Sequence, residues 1–170
     1  MCIVTRVGDL EIDQDLAYQE RDWKAERVGW VVLLAVVLVA ALGLFGHGPV
    51  SWTSRSSDDG SLEVSFERFG RRGGTQELVV RADASSAAGG VWQLEISTDY
   101  IHGVTVDTLS PEPDSVESAP GSVRYTFVQA DPRAPLEAVF SMTPDALWGH
   151  DGEISLVGGG TVRVSNFFFP

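Results

Sequence analysis

The spacing of apolar and polar residues divides the chain into two regimes. Residues 28–45 read VGWVVLLAVVLVAALGLF, without a charge or a strongly polar group. At a helical rise of ~1.5 Å per residue such a run reaches about 27 Å, near the ~30 Å hydrocarbon thickness of a bilayer. A buried helix of a soluble domain keeps one wet face. A secretory leader has a short basic start and a cleavage site behind its apolar run, whereas here 27 residues come first and the small residues at 39–41 lie inside the run. The pattern predicts a single transmembrane helix over residues 28–46, with Trp30 and Trp52 placed for the two interfaces and Gly46, Gly48 and Pro49 closing it.

Past Pro49 the period changes to two. Residues 47–60 form a polar linker ending in the turn signal Asp59-Gly60. Residues 61–69 then set Leu62, Val64 and Phe66 against Glu63, Ser65 and Glu67, as a half-buried strand requires. Further strands are predicted over residues 77–82, 91–98, 103–109, 123–128, 136–143, 153–157 and 161–166. The acidic, proline-bearing stretch 110–121 is barred from a central strand. Short strands in series with no helical period between them predict an antiparallel β-sandwich of immunoglobulin-like type over residues 61–170. The fold class is therefore mainly β, a sandwich ectodomain behind one transmembrane helix.

Ahead of the span, residues 1–12 show no clear period. From about residue 13 the arm reads as helical, with Asp13 or Asp15 available as N-cap and Glu20 and Lys24 paired at i,i+4. Leu16, Trp23 and Trp30 recur every seven residues, one stripe on which a partner can dock. At the other end Phe167-Phe168-Phe169 sets three aromatics in a row, of which a strand turns at least one outward. These six residues are the expected partner-docking set.

Charge orients the chain. Arg21, Lys24 and Arg27 crowd the N-terminal side of the apolar run, and the first base beyond it is Arg55. Residues 1–27 are thus expected to be a cytoplasmic arm and the C-terminal domain to lie outside, in a bacterial inner membrane. The formal net charge is −12, and residues 49–170 hold eight bases against seventeen acids. An acidic ectodomain disfavours nucleic acid. The single cysteine, Cys2, lies in the arm, so an intrachain disulfide is excluded and the outer domain rests on its apolar core.

Catalytic chemistry is sparse. His47, His102 and His150 do not have the spacing of a metal site. Asp99 lies near His102 and His150 adjoins Asp151, pairs that could hold a cation or form a dyad but that are also ordinary loop composition. Acids at 58–59 and 112–117 lack the spacing of a calcium loop. Gly158-Gly159-Gly160-Thr161 leads into a strand, so it offers no helix N-terminus to a phosphate. No cofactor and no enzymatic activity are expected.

Glu20-Arg21-Asp22-Trp23 and Arg27-Val28-Gly29-Trp30 before the run, Glu67-Arg68-Phe69 and Ser110-Pro111-Glu112-Pro113 after it, and the terminal Asn166-Phe167-Phe168-Phe169-Pro170 together resemble bacterial single-pass membrane proteins to which no activity is assigned. The resemblance runs over nearly the whole chain and implies the company of a polytopic membrane protein. The expected function is a membrane-anchored interaction or accessory subunit that docks on an integral membrane protein; the alternative is an extracytoplasmic sensor binding a ligand or cation.

Overall fold

The structure is a computed structural model describing residues 3–7, 10–14, 16–42, 48, 50–129, 131 and 133–170, with side chains from residue 19 onward. Cys2, Asp15, His47, Pro49, the side chain of Leu16 and positions 43–46 of the expected span lie outside the described residues. The chain forms two compact units, residues 1–41 and 42–170.

In the first unit, β1 (Ile3–Val7) and β2 (Leu10–Gln14) form an antiparallel hairpin in which Val7 faces Leu10. These strands stand where the residues show no clear period; in the sequence, Gly8-Asp9 between two short runs is a turn signal. Asp13, read as a helix N-cap, is in β2. The helix α1 (Leu16–Ala41) follows, charged to Arg27 and apolar from Val28, so its two halves differ along the axis rather than around it. Among the described residues no helix is long and apolar enough to cross a membrane. The expected span over residues 28–46 is corrected to that extent: residues 28–41 of α1 supply about 21 Å of uncharged helix against the ~30 Å of a bilayer.

The second unit is a two-sheet β-sandwich. Its strands are β3 (Trp52–Ser56), β4 (Leu62–Glu67), β5 (Phe69–Arg71), β6 (Gln76–Ala82), β7 (Val91–Ser97), β8 (Val104–Ser110), β9 (Ser115–Ala119), β10 (Ser122–Val128), β11 (Leu136–Pro144), β12 (Trp148–Leu156) and β13 (Thr161–Phe169). One sheet has the order β5-β13-β12-β7-β10-β9, the other β3-β4-β6-β11-β8. All neighbours are antiparallel except β5 and β13, which pair in parallel through Phe69 and Phe167 to Arg71 and Phe169. Alternation sends Leu62, Val64 and Phe66 inward from one sheet to meet Trp92, Leu94 and Ile96 from the other, all at most 1% exposed.

Three stretches differ from the sequence reading. The polar linker 47–60 contains β3, an edge strand whose residues are mostly exposed; among the described residues it pairs with β4 alone, so it needs no apolar alternation. The stretch 110–121 holds β9, again an edge strand, consistent with its exclusion from a sheet centre. Strand β12 starts at Trp148, ahead of the strand expected over residues 153–157, because it pairs with β13 from Trp148 to Ser155 although it meets β7 at Ile154, Ser155 and Leu156. Where β12 leaves β7, the short helix α2 (Thr98–Ile101) packs beside it.

Candidate functional site

The chain enters the sandwich at the same end at which β13 finishes. Ser51 Oγ donates to the Phe69 carbonyl at 2.9 Å, Arg68 N donates to the Ser51 carbonyl at 2.7 Å, and Phe167 N donates to the Arg68 carbonyl at 2.7 Å. Entry strand, β5 and the end of β13 are thereby laced together. On β13, Asn166 and Phe168 turn inward while Phe167 and Phe169 turn outward. The outward pair joins a row of rings: Trp148 meets Phe167 edge-on at 5.8 Å, Phe167 meets Phe169 at 5.1 Å, and Phe169 stacks on Phe69 at 6.5 Å. Trp148 is 57% exposed, and Val50, Trp52 and Leu147 are exposed at this end as well.

Trp148 has φ of +66°, the left-handed region that a bulky side chain rarely enters. The turn before it is hydrogen-bonded: Asp145 N and Ala146 N both donate to the Gly103 carbonyl at 3.0 Å, and Thr105 Oγ1 donates to Asp145 Oδ2 at 2.8 Å. An exposed indole held in a costly backbone state is a feature associated with function rather than folding. The same end carries Arg68, Arg71 and Arg72, all exposed. Acids gather on the opposite end, in the connections that hold Asp58, Asp59, Asp83, Glu112, Asp114 and Asp131. Hydrogen bonds from Ser57 and Ser61 hold the Asp59 carboxyl below its usual range.

Beneath the ring row lies a buried polar chain. Tyr100 Oη donates to Asn166 Oδ1 at 3.1 Å and Asn166 Nδ2 donates to the Glu67 carbonyl at 2.6 Å. Burial raises the Tyr100 phenol well above its ordinary value. His150 stacks on Tyr100 at 5.1 Å with Nε2 at 2.9 Å from the Tyr100 carbonyl. A Cβ on Gly103 would stand 2.1 Å from His150 Cε1, so glycine is what lets α2 close on the imidazole. His150 is therefore a packing residue, and His102 is the exposed C-cap of α2.

The outer face of the same sheet bears a polar groove of about 460 Å³, where β12 diverges from β7. Arg163 Nε donates to Glu153 Oε1 at 2.8 Å, Arg55 Nη1 reaches across from β3 to the Arg163 carbonyl at 3.0 Å, and Asp99 and Asp151 line the rim. Among the described residues no group of three His, Cys, Asp or Glu could hold a metal ion. What the groove offers a ligand is a guanidinium pair among carboxylates.

The expected docking residues separate. Trp23 and Trp30 are 53% and 65% exposed on α1, with the Arg27 guanidinium 3.6 Å above the Trp23 ring. Phe167 and Phe169 are half-buried in the ring row. Phe168 is corrected: it is 1% exposed and belongs to the interior, as the period of two demands when its neighbours face out. Trp148 was missed, because a lone Trp in a stretch read as loop gives no periodic signal.

No family model matches the chain, and no curated protein matches it. Among solved structures, the solution structure of CaCohA2 from Clostridium acetobutylicum is similar over 61% of this chain and 79% of that one, at 14% identity and a TM-score of 0.37. A likeness of that size assigns no function.

Proposed function

We propose that the protein is a membrane-anchored interaction module: α1 and the apolar residues that follow it in sequence seat in a bilayer, and the β-sandwich is presented to a protein partner. One observation carries this reading. From Val28 to Leu38 the large side chains of α1 stand on every side of the axis and are each more than half exposed, Trp30 at 65%, Val31 at 66% and Leu34 at 60% among them. Removing apolar surface from water is worth roughly 25 cal/mol per Å², and a helix apolar all round finds that burial in lipid or in the middle of a bundle. The uncharged run continues through Gly43-Leu44-Phe45, which brings it to spanning length.

On this reading residues 1–27 stay cytoplasmic and the sandwich lies outside a bacterial inner membrane, with Trp23 and Trp30 facing an integral membrane protein. We read the sandwich as a non-catalytic, immunoglobulin-like module in the broad sense, with more strands than the seven to nine of that class. The test is fractionation and isolation of the full chain. Membrane retention after alkaline carbonate washing and co-purification of a membrane protein in mild detergent are the expected results. Release by carbonate overturns the anchor; recovery of the chain alone after crosslinking overturns the partner.

The groove between β12 and α2 favours a second reading, an extracytoplasmic ligand-binding domain whose ligand pairs with Arg55 and Arg163. A small anionic metabolite that raises the melting temperature of the full chain, and fails to do so for Arg163→Gln, supports it. The absence of any such shift across a panel of carboxylates and phosphates counts against it.

A further inference from the structure

We infer that the aromatic end of the sandwich seats on the headgroup layer of an anionic bilayer, so that the domain is docked on the membrane rather than held away from it. This rests on the anchored reading above and adds the surface and the lipid chemistry.

Three independent features of the sandwich point to the same occupant. The first is composition. Trp148, Phe167, Phe169 and Phe69 form a continuous row on the outer face of the sheet, and aromatic rings with one wet edge belong at the boundary between headgroups and acyl chains. The second is charge. On a domain with an excess of acids, Arg68, Arg71 and Arg72 project at this end, whereas Arg81, Arg124 and Arg163 elsewhere are paired with Glu137, Glu95 and Glu153. The exposed acids on the connections at this end are Asp99 of α2 and Asp145, which accepts from Thr105, two against three arginines. With the acidic loops at the far end, an anionic surface attracts the aromatic end and repels the other.

The third is connectivity. The polypeptide enters the sandwich through Val50 and Ser51, bonded directly to Arg68 and Phe69 of the patch. Between Phe45, the end of the uncharged run, and Val50 there are five residue steps, a reach of at most about 18 Å when fully extended. On the anchored reading, this is the end of the domain at which the tether to the lipid attaches. The strained backbone of Trp148 fits the same role, since it aims an indole outward that the core does not use.

The experiment uses the full chain reconstituted in phosphatidylcholine vesicles, with or without phosphatidylglycerol, containing lipids brominated either near the carbonyls or at mid-chain. The emission of Trp148 is taken as the difference between the parent and Trp148→Phe. In anionic vesicles that emission is expected to be quenched by the shallow bromines and little by the deep ones. Arg71→Gln and Arg72→Gln are each expected to weaken the seated state about fivefold, and neutral vesicles to abolish most of the quenching. Trp148→Asn, whose side chain tolerates the left-handed region, serves as a folded variant that lacks the indole; an unchanged melting temperature shows that the ring is not a core element. A chain that floats with the vesicles while Trp148 stays unquenched overturns the inference and leaves the anchor standing. A chain that does not float overturns both. Shielding of Trp148 only after a co-purified membrane protein is added assigns the patch to protein and overturns the lipid occupant.

Discussion

Tyr100 shows how one buried residue ties stability to pH. Its phenol is enclosed, and burial alone raises its pKa above the ordinary 10.0. The neutral form is thereby favoured in the folded state, so its contribution is complete below pH 10 and is lost as pH rises from the unfolded value toward the folded one, by about 1.4 kcal/mol per pH unit. Chemical denaturation of the full chain is expected to show a steep loss above pH 10. In Tyr100→Phe that loss is shallower, with the remainder from Tyr125, whose phenol is also raised by burial. At neutral pH the same substitution leaves Asn166 Oδ1 without its donor and is expected to cost about 1–3 kcal/mol. Gly103→Ala tests the packing of α2: its new methyl would overlap the His150 ring, and a cost of about 1–3 kcal/mol is expected in urea denaturation. Neither residue was legible beforehand. Tyr100 stands in sequence between Asp99 and His102, ordinary loop composition, and its buried partner Asn166 comes from β13, 66 residues away.

At the level of elements, the strands were readable wherever one face is wet and one dry. Strands β4, β6, β7, β10 and β11 stand within two residues of the alternating runs, since burial on one face imposes a period of two. Edge strands β3 and β9 and the start of β12 escaped because their partners, not their side chains, define them. Helix α1 is set by its own composition, and its apolar half invites a direct test. Leu34→Arg puts a guanidinium in the middle of residues 28–41, at an insertion cost of about 3 kcal/mol if that segment lies in lipid. Vesicle flotation is expected to fall markedly for this variant and to stay unchanged for Leu34→Ile.

For the whole molecule, the anchored reading predicts a sidedness. With Cys2→Ser as background, a cysteine placed at Ser56 or Ser115 is expected to react with an impermeant maleimide added to intact cells, and one placed at Glu20 only after lysis. The reverse pattern inverts the topology. Trp23→Ala with Trp30→Ala is expected to release a co-purifying membrane protein while carbonate resistance persists; loss of both identifies the two indoles as part of the anchor alone. Together with the vesicle measurements on Trp148, these separate the three surfaces the molecule presents: helix, aromatic end and groove.

Some of this was determined by local composition. An uncharged run of apolar residues, an alternating β region, the lack of a cysteine beyond Cys2 and the surplus of acids follow from residue identity, because hydrophobic burial and period act over a few neighbours. Tertiary structure decided what the pieces form. It assigned Phe168 to the interior and Phe167 to the surface, brought Trp148 beside it from another strand, joined Arg55 to Arg163 across the sandwich edge, and enclosed His150 against Tyr100. Those contacts join residues far apart in the chain. Pairing register and strand order set them, and no short window of sequence contains either.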